Sequence, residues 1–287
     1  MTAEPDRRRA GVIGSPIGHS LSPVLHRAAY EALGLSHWSY RRDDVPAGHL
    51  AAHLAGLDDT WAGLSVTMPG KEEALRASAR ASPRALRTGA ANTLVRVQEG
   101  WWADNTDIDG ITRAFAEHGC ATAATAWLIG SGATARSALV ALSDMGVGRL
   151  IVQVREEPRR QTIELAHTLS MDLTVRRYDE GWPELATVDV AISTVPSGAS
   201  VPPAGGMPSP SSAQPRARSA GPVAMDVVYH PRQTPWARAV STMGGQLVDG
   251  SAMLLHQAAV QVELMTGCAA PVAAMRAALN TALAARG

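Results

Sequence analysis

Lysine is almost absent from this chain. Of its 26 basic residues one, Lys71, is lysine and the rest are arginine. The two are nearly interchangeable on a surface, but not where a proton must leave the side chain, because a guanidinium stays charged at any working pH. A lone lysine in an arginine background is a candidate for lysine-specific chemistry. Chance survival on the surface is the other reading. Asparagine is nearly as scarce, at Asn92, Asn105 and Asn280 only. The 2 cysteines, Cys120 and Cys268, lie far apart and in no C-x-x-C pattern, which argues against a disulfide framework or a thiolate zinc site. A reducing cytoplasm is the simplest home for them. Neither sign of charge is in excess, with 26 basic and 26 acidic residues, so nothing electrostatic points to nucleic acid or an anionic membrane as partner. No apolar run reaches the roughly 20 residues that span a bilayer. Gly14, Pro16 and His19 interrupt any signal-peptide core behind Arg7, Arg8 and Arg9.

What is present is a globular composition, 46% apolar and 18% charged over 287 residues. It suits one large domain or two ordinary ones. Short apolar runs at 10–14, 38–42 and 63–67 read as strands. They alternate with helical patterns at 23–33, 46–55, 72–78 and 83–87. Ser22 fits an N-cap with Pro23 at the first helical position and Gly34 as the stop. Residues 93–97 and 101–103 read as a hairpin, followed by a helix at 108–118. Strands at 126–129, 150–154, 173–176, 188–193 and 223–228 then alternate with helices at 133–145 and 159–169, the rhythm of a parallel sheet covered on both faces. Residues 197–222, rich in Pro, Gly, Ser and Ala, read as a loop or degenerate helix. Helices at 251–265 and 271–284 end the chain.

Gly130-Ser131-Gly132-Ala133-Thr134-Ala135 fits G-x-G-x-x-G/A between a strand and a helix. The first glycine permits the tight turn and the second the approach of a pyrophosphate. Ala135 lets helix and strand pack closely, and the helix N-terminus attracts the phosphate charge. A plain glycine turn is the alternative. At the end of the next strand an acidic residue would bind an NAD ribose, and an arginine would accommodate the NADP phosphate. Arg155 and Glu156 stand there together, and Arg159 and Arg160 tip the balance towards NADP, with NAD still possible.

Four segments of the first third carry more polar groups than structure alone requires. Gly14 to Pro23 (G-S-P-I-G-H-S-L-S-P) sets Ser20 and Ser22 beside a helix N-terminus, a cradle for a small carboxylate. Gly63 to Lys71 (G-L-S-V-T-M-P-G-K) puts the lysine just after a strand. Gly89-Ala90-Ala91-Asn92-Thr93 and Asp104-Asn105-Thr106-Asp107 hold two of the asparagines. Asn92 and Asn105 could also cap turns, and Asp104 and Asp109 are read as doing no more than that. His19 reads as a structural hydrogen-bonder. His49 and His53 lie four apart, but no Glu follows His49 as H-E-x-x-H requires, so no metal site is expected.

Together these segments, with 249–258 (D-G-S-A-M-L-L-H-Q-A), resemble the shikimate dehydrogenase family, whose patterns G-x-P-I-x-H-S-x-S-P, V-T-x-P-x-K, G-A-x-N-T and D-N-T-D recur in this chain in order. The resemblance implies that Ser20 and Ser22, with Tyr229, hold the substrate carboxylate, and that Thr67, Asn92 and Gln257 bond the ring hydroxyls. It implies that Lys71 and Asp107 form the pair at the reacting hydroxyl. For the cofactor it implies Gly130, Ser131, Gly132, Ala133 and Arg155, with Thr194 near the ribose and Gly250 and Met253 beside the nicotinamide. Alcohol oxidation fits that pair, since a buried lysine can exchange a proton and a carboxylate can orient it.

The chain departs from the family at Arg27 and Ser65, where asparagine is common, at Ala133, where a third glycine is usual, and at Val154-Arg155-Glu156 in place of N-R-T. The expected fold is α/β, with a substrate-binding domain over 1–107 completed by 249–287, a Rossmann-like domain over 108–248, and a cleft between them. The expected reaction is NADPH-dependent reversible reduction of 3-dehydroshikimate to shikimate by a cytoplasmic monomer or homodimer. The alternatives are a quinate or aminoshikimate dehydrogenase and a non-catalytic dinucleotide sensor.

Overall fold

A computed structural model describes residues 7–181, 185–197, 199, 222–231 and 233–286. Most of the expected loop at 197–222 lies outside the described residues. The chain divides into two compact units, Met1–Gly110 with Leu254–Gly287, and Ile111–Met253.

The first unit begins with β1 (Arg8–Gly14), α1 (Ser22–Ala32), β2 (Trp38–Asp44), α2 (Leu50–Ala55), β3 (Trp61–Val66) and α3 (Lys71–Ala77). It continues through β4 (Arg80–Ala81), α4 (Pro83–Thr88), β5 (Thr93–Val97), β6 (Gly100–Asp104) and the start of α5 (Asp107–Glu117). The six strands form one sheet in the order β2-β1-β3-β5-β6-β4. The β1 strand pairs in parallel with β2 and β3, whereas β5 runs antiparallel to β3 and β6. Ile13, Leu64, Val66, Leu94 and Trp101 from these strands meet Leu50 and Leu54 of α2 in a common core.

The structure corrects two expectations. Residue 46 does not begin a helix: Gly48 takes φ +81 and its N–H donates to Glu73, so the helix waits until Leu50. Ser22 does not cap α1. Leu21 is the N-cap and makes no side-chain bond, Ser22 is the first helical residue, and its hydroxyl oxygen accepts from Ser20 at 3.2 Å.

The second unit contains β7 (Thr125–Ile129), α6 (Ala133–Asp144), β8 (Arg149–Val154), α7 (Arg160–Thr168), β9 (Asp172–Arg177), β10 (Val190–Ser193), β11 (Val223–Asp226), α8 (Pro235–Thr242) and β12 (Gln246–Asp249). Its sheet is parallel throughout, in the order β12-β11-β10-β7-β8-β9. That is the doubly wound Rossmann order, with the reversal between β7 and β10. Every residue of β7, β10 and β11 is buried, as expected for central strands covered on both faces, while the edge strand β9 is largely exposed. Trp127 and Trp236 meet edge to face at 5.0 Å in its core. The chain ends with α9 (Gly250–Thr266) and α10 (Val272–Ala284), and α10 packs on α1. Among the described residues no helix is long and apolar enough to cross a membrane.

Candidate active site

The Lys71 ammonium lies 2.5 Å from Asp107 Oδ2, so the only lysine of the chain is not a surface relic. Both side chains are nearly buried, at 13% and 6% exposure. Lys71 opens α3 directly after a turn closed by the Gly70 N–H on the Thr67 carbonyl at 2.9 Å. Asp107 opens α5, where the helix dipole favours a negative charge.

Asn92 completes the constellation. Its amide nitrogen donates to Asp107 Oδ1 at 2.7 Å and lies 3.3 Å from Gln257 Oε1. Its oxygen accepts from the Thr106 N–H at 2.7 Å and from the Thr93 hydroxyl at 2.8 Å. Gln257 reaches this group from α9 with its own nitrogen tied to the Leu254 carbonyl. Thr67 stands half-buried at the end of β3, its N–H on the Ile13 carbonyl at 2.9 Å. Gly14 makes this approach possible, since a Cβ there would lie 2.5 Å from the Thr67 methyl.

Ser20, in the loop between β1 and α1, and Ser22, the first residue of α1, are buried together. The loop is held from several sides. Arg42 donates twice to the Ser20 carbonyl, at 3.0 and 2.7 Å, and Arg286 donates to that of His19. Asp44 accepts from the Ser15 hydroxyl and the Ile17 N–H. A cradle fixed in this way leaves two hydroxyls at the start of α1, a suitable place for a carboxylate.

Asp104 and Asp109 are not mere turn caps. Arg84 lies between them, donating to both oxygens of Asp104 at 2.9 and 2.7 Å and to Asp109 at 2.5 Å. Burial pushes the Asp104 carboxyl up, but the hydrogen bonds from Arg84 and Ser82 outweigh it and hold it below the usual carboxylate range. This clamp ties the end of β6 to the first turn of α5, on either side of Asn105 and Asp107. Asn105 itself ties to Thr88 and the Ala90 carbonyl, both at 3.0 Å.

Residue types alone did not single out Gln261, Thr93 or Thr106 as part of this network. For Gln261 a signal existed: a second glutamine one helical turn after Gln257 in a mostly apolar helix.

In the second unit the glycine turn sits at the switch point. Gly130 follows β7 at φ +105, and a Cβ on it would come within 2.6 Å of the Thr194 hydroxyl, which follows β10. Thr194 in turn donates to the Ile129 carbonyl at 2.8 Å. Gly132 is the extended N-cap of α6, and the space where its Cβ would stand is open for 4 Å. A phosphate fits an uncapped helix start beside open space, and these residues suit a dinucleotide. Ser131 is used in fastening the turn to α7, accepting from the Arg159 N–H and the Thr162 hydroxyl. Ala133 is the first residue of α6 and Ala135 is buried against the sheet. Arg155 is exposed, with its guanidinium 3.6 Å from the Glu156 carboxylate. Tyr229 is half-buried after β11, and Gly250 and Met253 are buried in the first turn of α9. Among the described residues no group of three or more His, Cys, Asp or Glu could hold a metal. His53 instead lies 3.6 Å from Asp43.

The strand order and glycine turn of the second unit put the chain in the class of two-unit α/β proteins built around a dinucleotide-binding sheet. Comparison with known proteins narrows the class. The family description "Shikimate dehydrogenase substrate binding domain" matches residues 12–94, and "Shikimate 5'-dehydrogenase C-terminal domain" matches 250–279. The shikimate dehydrogenase (NADP(+)) of Thermosynechococcus vestitus is 36% identical over 275 residues, 95% of each chain. The crystal structure of Mycobacterium tuberculosis shikimate dehydrogenase superposes with a TM-score of 0.83 at 41% identity, covering 96% of this chain and 99% of that one. A Thermus thermophilus shikimate 5-dehydrogenase, solved in complex with NADP(H) and shikimate, gives 0.80 at 28% identity, covering 96% and 99%. The chain belongs to the shikimate dehydrogenase family.

Proposed function

We propose that this protein catalyses the reversible, NADPH-dependent reduction of 3-dehydroshikimate to shikimate. It is an oxidoreductase of the alcohol dehydrogenase type that uses NADP. The observation that carries the reading is the Lys71–Asp107 pair, set among Asn92, Gln257 and Thr67 in a chain with no other lysine. Binding a sugar-like ring needs amides and hydroxyls. An ammonium that can give up its proton adds what oxidation of a carbinol requires.

Bound NADP supplies the hydride acceptor for oxidation and, reduced, the donor for reduction. Gly130 to Ala133 and the start of α6 hold its phosphates, and Arg155 meets the phosphate that separates it from NAD. Thr194 serves the ribose, and Gly250 and Met253 serve the nicotinamide. Ser20 and Ser22 receive the substrate carboxylate, together with Tyr229, and Thr67, Asn92 and Gln257 bond the ring hydroxyls. As shikimate is oxidised, its carbinol carbon loses hydride and its hydroxyl proton passes to the Lys71–Asp107 pair. In reduction the same pair returns the proton to the oxygen. The two groups exchange it as a coupled unit, with Asp107 Oδ1 held by Asn92 and Oδ2 facing the ammonium. The enzyme works in the cytoplasm as a monomer or homodimer.

The test is an absorbance assay of reduced nicotinamide with shikimate or quinate, each with NADP or NAD. Turnover is expected to be fastest with shikimate and NADP. Turnover confined to quinate and NAD would overturn both the substrate and the cofactor, and none with any pair would leave a dinucleotide sensor.

A further inference from the structure

Gln261 is 1% exposed, and both ends of its amide are occupied. Its nitrogen donates to the Asn92 carbonyl at 3.1 Å and to the Thr93 hydroxyl at 3.0 Å. Its oxygen accepts from the Ser65 hydroxyl at 2.6 Å and faces His26 Nε2 at 3.4 Å. The direction of these bonds is fixed by groups that can act in one way only. A backbone carbonyl accepts, so the Gln261 nitrogen must face Asn92 O. A backbone N–H donates, so Asn92 must turn its oxygen to Thr106 and its nitrogen to Asp107.

The shortest contacts then set the two hydroxyls. Thr93 gives its proton to Asn92 Oδ1 and takes its own donor from Gln261. Ser65 gives its proton to Gln261 and takes one from Tyr40, 2.6 Å away. The bonds run one way from Tyr40 through Ser65, Gln261, Thr93 and Asn92 to Asp107, where the Lys71 ammonium closes the chain from the other side. Buried chains of this kind hold together only when every member is satisfied.

We infer that Gln261 is a positioning residue for the reaction: it holds the Asn92 main chain and the Thr93 hydroxyl, and through them the orientation of the Asn92 amide against Asp107. The inference rests on the proposed role of Lys71 and Asp107. Gln261 contacts neither of them.

Gln261→Met keeps the length and removes every bond. It is expected to lower kcat with shikimate roughly 10- to 50-fold while KM for shikimate and for NADP moves less than about threefold, because a displaced reacting group costs rate before it costs binding. Hydrogen exchange of the Asn92 side-chain amide, followed by NMR in the full chain, is expected to quicken roughly tenfold as its cage loosens. In Gln261→Glu an ionised carboxylate can only accept, so the ratio of its kcat to that of the parent enzyme is expected to rise as the pH falls and the carboxyl regains a proton to donate.

Parental kcat together with unchanged protection of Asn92 in Gln261→Met would overturn the inference. Should that variant fail to fold, Gln261→Glu gives both readouts. Should the parent protein itself not turn over shikimate with NADP, the proposed function fails and the exchange measurement alone decides: faster exchange supports the positioning role, and unchanged exchange sinks it.

Discussion

The two units carry their functional groups in different materials. In the first, the candidate site is made of side chains: an ammonium, a carboxylate, two amides and several hydroxyls, most of them bonded to another side chain. In the second, the dinucleotide turn is made of backbone: a glycine at φ +105, an extended glycine before α6, and a helix start. A site built from side chains is sensitive to the chemistry of each residue. One built from backbone is sensitive to shape, and indifferent to side chains so long as none intrudes.

That contrast ranks the effects of substitution. Asp107→Ala is expected to lower kcat about 10³-fold, within the range for loss of a group in proton transfer, with circular dichroism unchanged and NADP affinity retained. Fluorescence titration of NADPH and steady-state turnover check the two halves of that statement. A parallel loss of NADPH binding would break the division of labour between the units. Gly130→Val attacks the other side. A branched residue at φ +105 with its Cβ near Thr194 strains the turn by about 2 kcal/mol, so NADP affinity is expected to fall roughly 30-fold while shikimate titrates as before.

The polar interior of the first unit also has a pH signature. His26 is fully buried, stacked on Tyr40 at 4.0 Å. Burial lowers its pKa to about 3 from 6.5, against the opposing hydrogen bond to Gln261. The unfolded chain therefore takes up a proton that the folded one refuses. This group leaves stability untouched above pH 6.5 and erodes it as pH falls from there towards 3, by about 1.4 kcal/mol per pH unit. Urea unfolding at pH 7 and pH 5 is expected to differ by about 2 kcal/mol from this source. His26→Gln, which cannot take the proton, is expected to flatten the slope, and an equal slope in both would remove the explanation. The smallest effect lies at an exposed residue. Arg155→Ala is expected to weaken NADP roughly fivefold, leave NAD unchanged, and matter less as salt is added.

Much of this was legible in the sequence where local chemistry decides structure. The β7–turn–α6 unit follows from an apolar run, a glycine pair and a helical stretch, and the lone lysine marked its own importance. Other features depend on partners far away in the chain. The late start of α2 follows from the turn at Gly48 and its bond to Glu73. The uncapped start of α1 is a local matter instead, Ser22 turning to Ser20 two residues before it. The pairing of β12 depends on β11, since four residues behind Gly244 and Gly245 make too short a run to announce a strand. The helix α8 does carry a local signal, since Thr234 caps it through the Ala237 N–H ahead of Pro235, but its apolar run is short. Gln261 and the Arg84 clamp join segments that only the fold brings together.

The central claim is that one ammonium moves the proton, and its most direct test keeps the charge and removes the chemistry. Lys71→Arg leaves a cation beside Asp107 but one that does not release a proton at working pH. Shikimate affinity by calorimetry and turnover with NADP are measured side by side on folded protein. The expected result is binding within a few-fold of the parent and kcat lower by about 10³-fold. Near-parental turnover in that variant would contradict the account.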